Sequence, residues 1–250
     1  MCLLGSGGAA GAAGPAVACV PGGFAVALDV GHDRARFGAL SARGVPEFDF
    51  NLELAQAVLA RLRAAGFGRS FLIGASGAPI ALDERTAAAE RGRAQLLISL
   101  HHDSVQERYL EPWSFAGRLL DHTTHARGFS LFVSAENRFF AASTALARAI
   151  GAALRAAGQR PSGHHGEPIA GENRPAIDAA NGVYRFDRLV VLRTATMPAV
   201  LLEAGVIKHR EEELVVASPA FRADVAGAIV SAALQACADG LPGAAAAPAR

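Results

Sequence analysis

Three apolar stretches of the 250-residue chain each run into an ionisable side chain of a kind that binds metal or moves protons. Residues 24–30 lead through Asp29 and Gly31 to His32, and residues 95–100 lead into His101-His102-Asp103. Residues 199–203 end on Glu203, followed by Ala204-Gly205. Glu47 stands after the first of these stretches, just ahead of an amphipathic segment. Two imidazoles and one carboxylate from separate segments are what an open zinc site takes, with water in the fourth position. Bound zinc brings the pKa of that water towards about 7, and a further carboxylate then handles the proton. Glu203 is the candidate for that role. Taken singly, each residue also has a plainer use. His32 can be a satisfied loop residue, and Glu203 can pair with an arginine such as Arg193, since a buried carboxylate without a partner is costly. The spacing matches no short motif of the H-E-x-x-H kind. Arg85 and Arg193 are candidates to hold a substrate carboxylate, and His102 and Asp103, which crowd the same turn as His101, are further candidates for substrate contact.

Such side chains need a scaffold that gathers strand ends, and in open α/β sheets ligands bind outside the carboxyl ends of the strands. Continuous apolar runs predict buried strands over residues 24–30 and 95–100. Further strands are predicted over 69–74, 129–134, 189–194 and 199–203. Helices are predicted over 52–65, with Leu54, Val58 and Leu62 on one face and Gly66 as the stop, and over 84–94 with Asp83 as cap. Another covers 141–157, stopped by Gly158, and the last starts after Ser218-Pro219. The alternation predicts one α/β domain over 24–240, built on a mostly parallel sheet with helices on both faces. Segments 104–128 and 159–186 are long for loops in a compact domain. They hold His122, His125, His164 and His165. Such pairs can bind a second metal, but in loops rich in Gly and Pro they are more often solvated. Trp113, Phe115, Phe139 and Tyr184 either anchor these loops or form a wall for sugar stacking.

Lys plus Arg number 24 and Asp plus Glu 23, a formal net charge of +1. Without a basic cluster, this excludes a nucleic-acid binder. Charged residues make up 19%, against about 25% in an average soluble domain. Cys2, Cys19 and Cys237 include no C-x-x-C pair, so a zinc ribbon or thioredoxin-type motif is excluded. Residues 1–28 carry no charge, and their many glycines, with Pro15 and Pro21, argue against a transmembrane helix. Ala16-Val17-Ala18 before Cys19 is shaped like an export cleavage site, although the segment has no basic n-region. After cleavage Cys19 either pairs with Cys237 in an oxidising compartment or carries a lipid anchor. The tail 241–250 is expected to be disordered.

In combination, FAVALDVGHD, EFDFNLELAQAVLARL, LDERTAAAERGRAQLLISLHHDS, GFSLFVS and LVVLRTATMPAVLLEAGVI resemble the zinc-dependent N-acetylmuramoyl-L-alanine amidases of bacterial cell-wall turnover. The likeness runs in order from about residue 24 to 235. It implies one Zn2+ per chain on His32, Glu47 and His101, with Glu203 as the catalytic glutamate. It further implies a six-stranded, largely parallel sheet, a peptidoglycan or muropeptide substrate and a periplasmic or secreted, monomeric enzyme. Whether an activator protein is a partner is left open by the sequence. Asp33 after His32, His102-Asp103 after His101 and Ala204-Gly205-Val206 after Glu203 depart from the family pattern and alter the pocket wall. A zinc amidohydrolase of small N-acyl amino acids would use the same four residues. A cell-wall binding module would not need all four to be competent.

Overall fold

The computed structural model describes residues 19–240. Ala16-Val17-Ala18 and the tail 241–250 lie outside them, so the export and tail expectations find no counterpart here. The chain opens with β1 (Val26–Val30), α1 (Glu47–Ala64), β2 (Phe71–Ile73), α2 (Leu82–Arg91) and β3 (Leu96–Asp103). A hairpin follows, β4 (Glu111–Phe115) and β5 (Arg118–His122), then β6 (Ser130–Val133) and α3 (Phe140–Ala156). The last third holds β7 (Ala176–Asp178), β8 (Val183–Arg185), α4 (Val190–Thr194), β9 (Ala199–Val206), α5 (Glu212–Val216) and α6 (Pro219–Ala238).

The main sheet has seven strands in the order β2-β1-β3-β9-β6-β8-β7, one more than the resemblance implies. It is mostly parallel but mixed, because β6 runs antiparallel to β9 and β7 antiparallel to β8. Alternate strand residues face opposite sides, and both sides are buried here. Val26, Leu28 and Val30 of β1, Leu96, Ile98 and Leu100 of β3, and Val200 and Leu202 of β9 face one core. That core is closed by α1, α3 and α6 through Leu54, Val58, Leu146, Ile150, Val225 and Ile229. Ala27, Leu97, Ala199 and Leu201 face the other side, under Ala89 of α2 and Val191 and Leu192 of α4. This two-sided burial is why β1, β3 and β9 read as unbroken apolar runs.

Three expectations are corrected. The run 189–194 is not a strand: Val190–Thr194 form the short helix α4, since a short apolar run does not distinguish a buried strand from a buried helical turn. Asp83 lies inside the first turn of α2, whose N-cap is Ala81. The long segments are not bare loops: 104–128 folds as the β4–β5 hairpin and 159–186 supplies β7 and β8. By length and composition α6 could cross a membrane. It instead packs on α1 and α3 as a core helix, with Phe221, Val225, Ala226, Ile229 and Ala233 buried. A disulfide joins Cys19 to Cys237 near the end of α6 across a separation of 218 residues, so Cys19 offers no free thiol for a lipid.

Candidate active site

Beyond β1 the backbone turns sharply. Gly31 lies so close to the His101 ring that a Cβ would come within 2.4 Å of it, and His32 adopts a left-handed φ of 68°. That conformation is uncommon for a residue with a side chain and must be held by its surroundings. Arg85 of α2 holds it. Its buried guanidinium donates to Asp29 Oδ1 at 2.6 Å and to the His32 carbonyl at 2.6 Å, while the Ser99 hydroxyl donates to Asp29 Oδ2 at 2.7 Å. Arg85 thus lines the cleft while its guanidinium holds the end of β1 and the His32 turn in place.

Glu47 is the first residue of α1, beside Gly38, whose φ of +78° and lack of a Cβ let the backbone pass the carboxylate. Glu47 Oε2 lies 3.0 Å from His32 Nε2 and Oε1 lies 3.1 Å from His101 Nδ1. The Ala39 amide donates to Oε2 at 3.1 Å, and Asn51, one turn along α1, donates its side-chain amide to Oε1 at 3.1 Å. Burial alone would raise the pKa of Glu47. The hydrogen bonds and charges of His101 and His32 outweigh it and hold the carboxyl well below the usual range. The ligating atoms of His32, Glu47 and His101 lie within 4.8 Å of one another. Two imidazoles and an ionised carboxylate, fixed from behind and open on one side, fit a divalent ion of the zinc type.

Glu203 comes from β9, directly across the ladder from His101 of β3. Side chains paired in register lie on the same face, so Glu203 projects beside the metal-type cluster. It is half-buried as a residue, yet its Oε2 is shut off from solvent with no hydrogen-bond partner among the described residues. Burial raises its pKa well above the ordinary value, with the charges of Asp103 and Glu47 adding to the effect and Arg174 opposing it. A cleft of about 320 Å³ lies over His32, His101, Arg85 and Leu189. A second cavity, of about the same volume, reaches Glu203, Arg174, Phe186 and the same Leu189. The two meet at Leu189, leaving room for an extended ligand across His101 and Glu203.

The remaining expectations fare differently. His102 faces away from the cleft, because consecutive strand residues point to opposite faces. It is buried against Phe50, its Nδ1 lies 2.8 Å from Asn51 Oδ1, and burial lowers its pKa to about 4. The alternation of β3 was the signal that could have separated it from His101. Arg193 is exposed on α4, lines neither cavity, and its side chain makes no hydrogen bond among the described residues. Asp103 is buried beside His164 and His165, not presented to a ligand in the first cleft. Trp113 and Tyr184 act as anchors: the indole donates to the Ala42 carbonyl at 2.8 Å and the phenol to the Ser162 carbonyl at 2.9 Å. Sequence reasoning missed Asn51, Glu172 and Arg174. Of these Asn51 alone carried a local signal, its i+4 spacing from Glu47.

The sequence profile of the N-acetylmuramoyl-L-alanine amidases matches residues 26–235. The chain belongs to that family. No curated protein sequence matches it. Among solved structures, the amidase is similar to Ami1, the N-acetylmuramyl-L-alanine amidase of Mycobacterium smegmatis, with 24% identity and a TM-score of 0.67 over 86% of this chain and 97% of the other. AmiC2 of Nostoc punctiforme is 23% identical, with a TM-score of 0.63 over 85% and 96%. CwlD of Clostridioides difficile, solved in complex with the GerS lipoprotein, is 16% identical, with a TM-score of 0.56 over 85% and 98%. At these identities the structures establish the shared fold, and the profile establishes the family. The departure at Asp33 has a local reason in this amidase: its carboxylate accepts from the Ala35 and Arg36 amides and shapes the cleft rim.

Proposed function

We propose that this amidase hydrolyses the amide between the lactyl group of N-acetylmuramic acid and L-alanine with one zinc ion on His32, Glu47 and His101. The observation that carries the assignment is the register of β3 and β9, which sets His101 of that cluster directly opposite Glu203. Bound zinc supplies Lewis acidity towards the scissile carbonyl and a water of lowered pKa.

Glu203 does the proton work. Its carboxylate takes a proton from the attacking water as the tetrahedral centre forms. It then gives that proton to the nitrogen of L-alanine, which leaves poorly as an unprotonated amine. Arg85 keeps the His32 turn in place through Asp29, and Asn51 keeps Glu47 aimed at the two imidazoles. Leu189 and Phe186 give the second cavity an apolar wall next to Arg174, suited to a stem peptide bearing a carboxylate.

The Cys19–Cys237 disulfide supports action in an oxidising compartment, periplasmic or secreted, where the wall substrate lies. The test is digestion of purified peptidoglycan by the purified chain, with zinc measured in the same preparation. Release of stem peptides with a free L-alanine amine is expected. Turnover of N-acetyl amino acids with no release from peptidoglycan would overturn the proposal in favour of a small-molecule amidohydrolase.

A further inference from the structure

Where β3 ends, a second group of two imidazoles and a carboxylate comes together. His164 Nε2 lies 3.2 Å and His165 Nε2 2.8 Å from the same oxygen, Asp103 Oδ2. The three ligating atoms lie within 4.8 Å of one another, and all three residues are buried. Far from being solvated loop residues, the two histidines form a short 3-10 turn folded back over the strand end.

Each ring is fixed from its far side. His164 Nδ1 lies 2.8 Å from the Ser162 hydroxyl, and His165 Nδ1 lies 2.9 Å from Glu172 Oε2, which Arg174 also binds. Asp103 Oδ1 accepts from the Ser104 amide at 2.7 Å. Outward partners of this kind orient histidine and carboxylate ligands around metals. His164 Nε2 carries a separate sign: it is buried and, despite its nearness to Asp103, has no hydrogen bond among the described residues. A buried imidazole nitrogen without a partner is costly, and a metal ion would satisfy it.

We propose that Asp103, His164 and His165 form a second site, distinct from the catalytic cluster, for a divalent transition ion of the zinc class. With metal–ligand bonds of about 2.0–2.1 Å, tetrahedral ligand atoms stand about 3.3 Å apart. The His164–Asp103 distance of 3.2 Å already meets this, and His165 needs to withdraw by about half an ångström. Two imidazoles and one carboxylate suit zinc, nickel or cobalt over calcium or magnesium, which prefer oxygen. The ion ties the 159–175 segment to the end of β3 and so fixes the wall of the cavity that holds Glu203.

The test counts zinc in the full chain after chelation, reloading with zinc alone and dialysis. Wild type should hold two equivalents. His164→Ala/His165→Ala should hold one, and His32→Ala/His101→Ala should also hold one. Wild type with a single equivalent, or a loop variant that keeps both, would overturn the second site. Loss of one equivalent in the loop variant, with none lost in His32→Ala/His101→Ala, would uphold it while contradicting the catalytic ligand set. Should the loop variant fail to fold, crystals of the reloaded wild type decide the matter. An anomalous peak at the zinc edge between Asp103, His164 and His165 is expected, and no peak there would overturn the proposal.

Discussion

The two histidine clusters use the same donors and differ in how they are built. In the first, His32 follows β1, His101 lies in the neighbouring strand β3 and Glu47 starts a helix. The side chains of His32 and His101 keep 33% and 18% of their surface exposed. In the second, Asp103 ends β3 and both histidines come from one tight turn, and none exceeds 10% exposure. Metal sites that do chemistry keep a position open, whereas structural sites are closed. On the proposed reading the open cluster does chemistry and the closed one fastens, although their centres are fed by residues only two apart on β3.

Removing a ligand from the open cluster should break this contrast most visibly if it is wrong. For His101→Ala we expect turnover to fall by more than the ~10²–10⁴ of one positioned acid–base group. Thermal stability should change little, because the core is packed on both faces of the sheet without help from metal. Assay and calorimetry on one preparation check this, and a collapse in melting temperature would recast the open cluster as structural.

Arg85→Met comes next. It leaves Asp29 buried with only Ser99 as a side-chain partner, and removal of one member of a buried ion pair costs about 3–5 kcal/mol. Chemical denaturation reads that loss. Zinc binding at the open cluster should weaken with it, because the His32 turn loses its support. A variant as stable as wild type would show that Arg85 does not hold the His32 turn.

Asn51→Ala gives the smallest effect, a loss of about 10–100-fold in zinc affinity at the open cluster, the usual weight of an outer hydrogen bond to a ligand. Competition with a chromophoric chelator measures it. Equal weakening at the closed cluster would mean that the two are coupled through β3.

The same contrast marks what could be read from the sequence. β1, β3 and β9 were legible because burial on both faces leaves unbroken apolar runs. His32, His101 and Glu203 were legible because each follows or ends such a run. The one-residue difference between His101 and His102 is equally present in the strand period, although their shared turn makes both read as site residues. Glu47 drew its role from family likeness, since nothing local says that a helix start will meet two strand ends. The burial of His164 and His165 was hidden, because it depends on Asp103, which lies 62 residues from His165. The strands β7 and β8, three residues each, are too short to carry a period.

The central claim is that Glu203 carries the proton beside a metal held by His32, Glu47 and His101. Glu203→Gln preserves length and hydrogen bonding but cannot accept the proton, so zinc content and peptidoglycan turnover measured on the same sample test the claim directly. We expect zinc content equal to wild type with kcat lowered by about 10²–10⁴. Normal turnover with full zinc would place the proton shuttle elsewhere, and loss of zinc would make Glu203 a ligand and contradict the account.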